Sequence, residues 1–292
     1  MLASLVPTLL ITAIGVILVA SGEPRSLTIA TGVLVLAFGA TALAGYFFGT
    51  YFVTRGANLA RVQNEFLSSV SHELRTPLTS ILMFIETLRD DRVTSADERR
   101  RCLTVAHREL TRLDGLVGDL IQLSKIEGTH TALVRDPVEI SDVVSDALAA
   151  FEATRLAGNA KVEVETVVQP GMTVLGNRSA LAQAVGNLLS NAWKFTAPTE
   201  KKIDVRVEGD ANSVSIAVSD NGLGVARAER EAIFQKFERG SAAAVGGSPG
   251  SGLGLAIVRA VVEAHRGRIE VQSRADHGTC FRIVLPRHRA AA

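Results

Sequence analysis

Two stretches without a charged residue stand near the start of the chain, at residues 2–20 and 27–53. Each is long enough to cross a hydrocarbon core of about 30 Å, so the pattern predicts two membrane-spanning helices joined by the connector 21–26. The positively charged segment of a signal peptide is missing, which favours a retained hairpin over residues 1–54. Arg55 and Arg61 follow it, and the positive-inside rule predicts a multi-pass protein of the cytoplasmic (inner) membrane with both termini in the cytoplasm.

A long helix is predicted after the hairpin, because apolar residues recur there at steps of three or four. They are Leu59, Val62, Phe66, Val70, Leu74, Leu78, Ile81, Ile85 and Leu88. His72 lies two residues from both Val70 and Leu74, roughly 200° around the helix from each, so we expect its imidazole to point into water.

The neighbours of His72 indicate a function for this exposed ring. Glu73 supplies an adjacent carboxylate, and the hydroxyl of Thr76 lies one helical turn away on the same face. Pro77 stands inside the helix, where it removes one backbone donor. A broken rule of helix design beside a titratable group is more often functional than accidental.

The start of a second helix is predicted at Thr94 and Ser95, because each is followed three residues later by an acidic residue, as in a capping box. Its apolar positions repeat every seven residues, at Leu103, Ala106, Leu110, Leu113, Val117 and Leu120. Such a repeat is typical of helices that pack against other helices. A two-helix hairpin over 55–128 cannot bury both faces alone, so the pattern predicts a homodimer with a four-helix bundle.

The pattern changes after a polar linker over 129–136. Residues 137–288 alternate between helices predicted at 140–157, 178–195 and 253–264 and strands predicted at 161–168, 203–207, 214–218, 268–273 and 279–285. This order predicts an α+β sandwich with helices on one face of a sheet. The whole chain is therefore expected to be multidomain.

Charge and cysteine content exclude several classes of protein. The net charge is +1 and no basic run with interleaved aromatic residues occurs, so nucleic acid is not an expected partner. Cys102 and Cys280 are far apart and lack metal-ligand spacing, which argues against a disulfide framework or a zinc site.

Three residues on the helix predicted at 178–195 are candidates for phosphate chemistry. Asn187, Asn191 and Lys194 are spaced four and three apart and share one helix face. Amide oxygens suit Mg²⁺ and an ammonium group suits phosphate, although a solvated polar stripe would give the same spacing. Asn177 is the expected N-cap of this helix.

Two glycine-rich segments complete the candidate site. Asp220 ends a predicted strand and is followed by Gly222 and Gly224, so its carboxylate could accept a hydrogen bond from an exocyclic amine where the backbone bends closely. Residues 250–255 open a helix whose N-terminus favours phosphate. They lack the preceding strand and the later acidic residue of a dinucleotide-binding fingerprint. The segment 239–249, rich in Ala, Gly and Ser, is expected to be mobile.

In order, these segments resemble the conserved boxes of bacterial sensor histidine kinases, over about residues 58–286. The H, N, first G, F and second G boxes read SHELRTPL from Ser71, NLLSNAWKF from Asn187, DNGLG from Asp220, FQKF from Phe234 and GSGLGL from Gly250. The resemblance implies an ATP-dependent protein-histidine kinase of the HisKA plus HATPase_c type that uses ATP and Mg²⁺. Its expected partner is the receiver domain of a response regulator.

The resemblance also assigns roles to residues. His72 would be the phosphoacceptor, Glu73 its general base, and Thr76 the residue that orients water when the partner is dephosphorylated. Asn191 would hold Mg²⁺, with Asn187 as a possible second ligand, and Lys194 would contact phosphate. The adenine and lid residues would be Phe195, Asp220, Gly222, Gly224, Gly250, Gly252, Leu253 and Gly254.

One residue separates this chain from related ATPases such as gyrase. They carry a water-activating glutamate one turn before the magnesium-binding asparagine, where this chain has Asn187. An amide cannot take the proton, so slow hydrolysis and transfer to a protein nucleophile are expected.

Only about twenty residues separate the second predicted span from His72. The hairpin is therefore expected to pass its input directly into the bundle, from the membrane lipid or from a neighbouring membrane protein. Two functional classes stay open: an autokinase that also dephosphorylates its partner, and a phosphatase-biased or ATP-responsive membrane scaffold with little autokinase activity.

Overall fold

The computed structural model describes residues 12–17, 20, 26–90, 92–93, 95–128, 136–157, 162–196, 201–238, 240, 251–273 and 278–288. It divides into two compact units, Met1–Val70 and Ser71–Ala292. The first helix, α1 (Ser26–Arg89), begins in the first unit and ends in the second.

The first unit contains an apolar stretch within α1. Among the described residues, Thr31–Gly56 is the segment long and apolar enough to cross a membrane, with a mean hydropathy of 1.8. Its large side chains are mostly exposed, as at Leu34 and Phe47. Residues 12–17 are helical, and a side chain at Gly39 would overlap Thr12, so this segment lies against α1. Residues 2–11, 18 and 19 of the first predicted span, and residues 21–25 of the connector, lie outside the described residues.

The second helix is α2 (Ala96–Gly128), as the sequence predicts, and the ion pair between Arg112 and Glu73 joins it to α1. Ser95 accepts a hydrogen bond from the backbone of Asp97 at 3.3 Å, which confirms one of the two predicted caps; Thr94 lies outside the described residues. Pro77 is accommodated inside α1.

The predicted apolar faces of this helical hairpin are only partly buried. Ile81, Ala106, Leu116 and Leu123 are buried. Leu78, Ile85, Leu103, Leu110 and Val117, which belong to the predicted stripes, are exposed together with Leu82, Met83 and Ile121. Each predicted stripe thus contains both buried and exposed positions in the single chain, which agrees with the expectation that one hairpin cannot bury all of its apolar surface alone.

The remaining elements form an α/β domain. They are β1 (Asp136–Glu139), α3 (Ile140–Ala157), β2 (Glu163–Val168), β3 (Thr173–Gly176), α4 (Arg178–Phe195), β4 (Lys202–Gly209), β5 (Ser213–Asp220), the 3₁₀ turns Arg227–Glu229 and Ala232–Phe234, α5 (Gly254–Ala264), β6 (Arg268–Ser273) and β7 (Thr279–Pro286). The predicted helices agree to within one residue. The sequence missed β1 and β3, which pair with each other, and Asp136 belongs to β1 and not to the linker. Residues 129–135 of that linker lie outside the described residues.

Within the described residues the main sheet has the order β2-β4-β5-β7-β6, with β2 and β4 parallel and the other neighbours antiparallel. One face is apolar and buried, with Ile203, Val205 and Val207 of β4 pointing to the helices. Asp204 and Arg206 alternate with them on the other face. This confirms the predicted arrangement of helices on one sheet face.

The start of α4 is fixed by two side chains. Asn177 caps the helix through its Oδ1, which accepts a hydrogen bond from the backbone of Ala180 at 2.9 Å. The backbone N–H of Asn177 donates to Nε2 of the buried His265 at 3.0 Å, and Nδ1 of His265 lies 2.7 Å from the carbonyl of Val261. These bonds join the beginning of α4 to the end of α5.

Candidate active site

A central cavity opens between α4, the end of β5, the two 3₁₀ turns and the start of α5. It is lined by Asp119, Asn187, Ser190, Asn191, Lys194, Phe195, Asp220, Gly224, Val225, Glu229, Ile233, Glu238, Gly240, Ser251, Gly252, Gly254, Leu255, Thr279 and Phe281. Eight of the predicted site residues are in this set: Asn187, Asn191, Lys194, Phe195, Asp220, Gly224, Gly252 and Gly254.

The polar face of α4 forms one wall of the central cavity. Asn187, Asn191 and Lys194 all line it, while the apolar face of the same helix, including Leu188 and Leu189, is fully buried. Asn187 Nδ2 donates to the carbonyl of Gly254 at 3.3 Å, so α4 and α5 meet at this wall. These side chains therefore share a concave site.

Burial affects the two charged groups at this wall in opposite directions. Burial lowers the pKa of Lys194, and the negative charge of Asp119 opposes that shift. Burial raises the pKa of Asp119, while its hydrogen bond with Ser251 and the charge of Lys194 partly offset the rise. The wall therefore holds a partly buried ammonium group, which is suited to a polyanion.

Asp220 also lines the central cavity. Its Oδ1 accepts a hydrogen bond from the backbone of Gly222 at 2.8 Å. Burial raises the pKa of Asp220, and hydrogen bonds from the backbones of Gly222 and Thr279 partly offset the rise. Phe195 and Phe281 line the cavity as well, so a carboxylate acceptor and flat apolar surfaces occur together.

The glycines at this site are required by close backbone contacts. Gly252 has a φ of 69°, and a Cβ there would lie 2.7 Å from Cα of Phe237. The backbone N–H of Phe237, which itself has a φ of 64°, donates to the carbonyl of Gly252 at 3.0 Å. A Cβ at Gly222 would lie 2.6 Å from the carbonyl oxygen of Phe195.

Two of the predicted adenine and lid residues that the structure describes, Gly222 and Leu253, do not line the central cavity. The backbone of Gly222 donates to Asp220, and Leu253 is fully buried at the start of α5. Gly250, and the segment expected to be mobile apart from Gly240, lie outside the described residues.

His72 lies on α1, and its side chain is 78% exposed, which confirms the predicted orientation. Nδ1 of its imidazole is 3.9 Å from Oε1 of Glu73. Thr76 Oγ1 donates to the carbonyl of His72 at 3.2 Å. His72, Glu73 and Thr76 form a local group on this helix and do not line the central cavity.

Sequence reasoning missed two residues of α2. Arg112 Nη2 lies 3.3 Å from Oε2 of Glu73, and no sequence pattern reports the register between the two helices that creates this pair. Asp119 reaches the central cavity. It lies three residues after Leu116 and four before Leu123, both of which are buried. A carboxylate on the same helix face as these apolar residues is the sequence signal that could have identified Asp119 as a site residue.

The donor set of the central cavity fits a magnesium nucleotide. Amide oxygens on α4 suit a hard divalent cation, Lys194 suits phosphate, and Asp220 with its aromatic neighbours suits an aminopurine ring. The site contains no carboxylate in the place where a water-activating base is expected, since Asn187 occupies it.

Comparison with known families agrees with this chemistry. Residues 62–129 match the His Kinase A (phospho-acceptor) domain, and residues 176–289 match the histidine kinase-, DNA gyrase B-, and HSP90-like ATPase family. The chain is 33% identical over 245 residues to the sensor-like histidine kinase SenX3 of Mycobacterium tuberculosis, which is 82% of this chain and 58% of SenX3. It thus spans less than two thirds of this relative.

Two solved structures share the fold. The Acinetobacter baumannii histidine kinase AdeS has a TM-score of 0.60 and 25% identity, over 75% of this chain and 98% of that chain. Full-length ShkA in complex with AMPPNP has a TM-score of 0.55 and 28% identity, over 78% of this chain and 47% of that chain.

Proposed function

Because the chain belongs to the family of two-component sensor histidine kinases, we propose that it transfers the γ-phosphoryl group of ATP to His72 and then to an aspartate of a response-regulator receiver domain. It also dephosphorylates that partner. The observation that carries the proposal is the central cavity, where Asn187, Asn191, Lys194 and Asp220 meet in a chain that also exposes His72 beside a carboxylate.

The nucleotide occupies the central cavity with its ring near Asp220. The carboxylate accepts a hydrogen bond from the adenine amino group, and Phe195 provides an apolar contact. Lys194 contacts phosphate. Asn191, with Asn187 beside it, holds Mg²⁺, which neutralises charge on the phosphates when bound.

The phosphoryl acceptor is the imidazole nitrogen that faces away from Glu73. Since Nδ1 faces that carboxylate, Nε2 attacks the γ-phosphorus. A bond forms between Nε2 and phosphorus, the bond to the β,γ-bridging oxygen breaks, and ADP leaves. Glu73 takes the proton from Nδ1 as the ring acquires positive charge. Thr76, one helical turn from His72, orients water in the reverse, dephosphorylating direction.

The proposed organisation follows the sequence. Residues 1–54 form a transmembrane hairpin, 55–128 a dimerisation and phosphotransfer domain, 129–135 a linker, and 136–288 the catalytic domain, which includes Asp136 of β1. The apolar residues that the helical hairpin leaves exposed, such as Leu78, Leu110 and Val117, support a homodimeric four-helix bundle. The protein is multi-pass with cytoplasmic termini, and lipid or a membrane protein provides the input.

The test uses the full chain in lipid nanodiscs with γ-labelled ATP and Mg²⁺. We expect acid-labile, alkali-stable label that disappears in His72→Ala. The exposed His107 on α2 offers a matched control, since His107→Ala should keep the label. Nucleotide binding without label would favour the ATP-responsive scaffold, and label that persists in His72→Ala would contradict the proposal.

A further inference from the structure

One hydrogen bond joins the phosphotransfer helices to the catalytic domain at the central cavity. Ser251, just before α5, donates from Oγ to Oδ2 of Asp119 on α2 at 3.0 Å, although the two residues are 132 positions apart. Ser251 Oγ also accepts a hydrogen bond from the backbone of Leu253 at 3.2 Å, which fixes its position at the start of the helix. The contact therefore connects α2 to an ordered part of the site.

Asp119 is an unusual residue for this position. It lines the same cavity as Asn187, Asn191 and Lys194, the residues to which the proposed function assigns the phosphates and their cation. Lys194 attracts its carboxylate, yet burial keeps the charged form of Asp119 unfavourable. A carboxylate at the phosphate end of a nucleotide site repels the polyanion that the site must bind.

A carboxylate at this position would couple nucleotide binding to the contact between α2 and the catalytic domain. While Asp119 stays on Ser251, α2 holds the catalytic domain and adds a negative charge to the cavity. Bound phosphates would compete for Lys194 and repel Asp119, which would release α2. Coupling between two sites is reciprocal. If bound nucleotide weakens the contact between Asp119 and Ser251 by some factor, the contact weakens nucleotide binding by the same factor.

We propose that Asp119 is an internal, displaceable occupant of the phosphate end of the central cavity, which keeps the catalytic domain on α2 until di- or triphosphate nucleotide displaces it. The inference rests on the proposed function, because it takes ATP as the ligand of this cavity. It adds a residue from the phosphotransfer helices to the nucleotide site and makes release of the catalytic domain a consequence of nucleotide binding.

The first experiment measures dissociation constants of adenosine, ADP and AMP-PNP with Mg²⁺, using the full chain in nanodiscs. Asp119→Asn keeps the shape of the side chain and removes its charge. We expect it to tighten binding of ADP and AMP-PNP by about fivefold or more, the lower end of usual coupling factors, and to leave adenosine unchanged. The exposed Asp114 on the same helix gives the control, and Asp114→Asn should bind all three ligands as the unchanged chain does.

Two outcomes of this experiment would overturn the inference. In the first, the Asp119→Asn variant binds ADP and AMP-PNP no more tightly than the unchanged chain does. In the second, Asp114→Asn tightens binding of these ligands as much as Asp119→Asn does, which would indicate only a general charge effect. Failure of the unchanged chain to bind any nucleotide would contradict the proposed function as well. A chain that binds ADP and labels His72, with no effect of Asp119→Asn, would contradict this inference alone.

A second experiment follows amide hydrogen exchange in residues 116–123 of α2, where Leu116 and Leu123 are buried. AMP-PNP should accelerate exchange there in the unchanged chain, and adenosine should not. In the Asp119→Asn variant, the amides of residues 116–123 should exchange faster without nucleotide, and AMP-PNP should change their exchange rate less. Exchange that is the same in every state would mean that α2 is not released, and the inference would be wrong.

Discussion

The guanidinium group of Arg112 lies 3.3 Å from the carboxylate of Glu73, across the interface between α2 and α1. The pair uses Oε2 of Glu73, and the other oxygen, Oε1, is the one nearer to Nδ1 of His72. Both side chains are about seven-tenths buried, with 29% and 28% exposed. Arg112 therefore restricts the carboxylate to rotamers that face the imidazole.

We predict that Arg112→Ala slows autophosphorylation of His72 about tenfold at saturating ATP, which corresponds to roughly 1.4 kcal/mol of transition-state stabilisation. The KM for ATP should not change, because Arg112 lies outside the central cavity. Arg112→Lys should keep part of the rate, since it retains the charge. Initial rates of label incorporation provide the measurement.

The exposed Arg108, one turn away on α2, is the control, and Arg108→Ala should keep the full rate. Arg112 acts through Glu73, so its replacement should matter much less when Glu73→Gln is already present. An equal loss in both backgrounds would mean that Arg112 supports only the packing of the hairpin.

A second prediction concerns Gly252, whose left-handed φ of 69° and contact with the Phe237 backbone leave no room for a side chain. We expect Gly252→Ala to lower the free energy of unfolding by about 1–3 kcal/mol, the usual cost of a strained backbone residue. The measurement is thermal unfolding of the full chain in one detergent.

Gly254→Ala is the matched control for this substitution. Gly254 opens α5, and a Cβ there would meet its nearest neighbour, Cγ of Asn187, at an ordinary 3.9 Å. Alanine in a helix is favoured over glycine by about 0.5–1 kcal/mol, so this variant should unfold at the same or a higher temperature. A similar loss in both variants would contradict the assignment of strain to position 252.

Sequence patterns predicted the parts of this protein in which one helix or strand determines its own structure. The three helices of the catalytic domain were predicted to within one residue because their apolar periodicity and caps are local. The face that Asn187, Asn191 and Lys194 share follows in the same way from helical spacing. Residues 136–139 and 173–176 were missed since strands of four residues carry too few alternations to be recognised.

Contacts between helices and between domains were not predictable in this way. The pairing of Arg112 with Glu73 depends on the register of α2 against α1, and that of Asp119 with Ser251 depends on how α2 meets α5. The division of each apolar stripe into buried and exposed positions was unpredictable for a related reason. One periodicity covers the whole stripe, so the pattern does not distinguish the positions buried within the chain from those available to a second copy.

A third prediction tests the cap of α4. The family resemblance leads us to expect Asp at position 177, where this chain has Asn177. Asn177→Ala removes the hydrogen bond to the backbone of Ala180 and should cost about 1 kcal/mol of stability. Asn177→Asp should be neutral or stabilising, since a carboxylate at a helix N-terminus also interacts well with the helix dipole. Denaturant unfolding of the two variants measures the difference, and equal stability of both would contradict the capping role.

The last prediction concerns the pH dependence of nucleotide binding. Burial raises the pKa of Asp220 above its ordinary value of 3.8, and only the ionised carboxylate offers both oxygens as acceptors to the adenine amino group. Affinity for ADP should therefore be full above the raised pKa and fall as the pH drops through it, at a higher pH than an exposed aspartate would give. Titrations of ADP binding from neutral to mildly acidic pH measure this.

Two variants separate Asp220 from protonation of the nucleotide itself. Asp220→Asn should bind ADP about tenfold to a hundredfold more weakly at neutral pH, as expected for loss of a hydrogen bond to a charged group, and should lose the steep acidic decline. Asp210 is an exposed carboxylate at the turn between β4 and β5, where backbone hydrogen bonds from Asn212 and Ser213 lower its pKa. Asp210→Asn should therefore keep the decline of the unchanged chain. If Asp220→Asn also keeps the acidic decline in ADP affinity, the titrating group is the nucleotide or another residue. The negative charge of Asp220 would then not be what binds the adenine amino group.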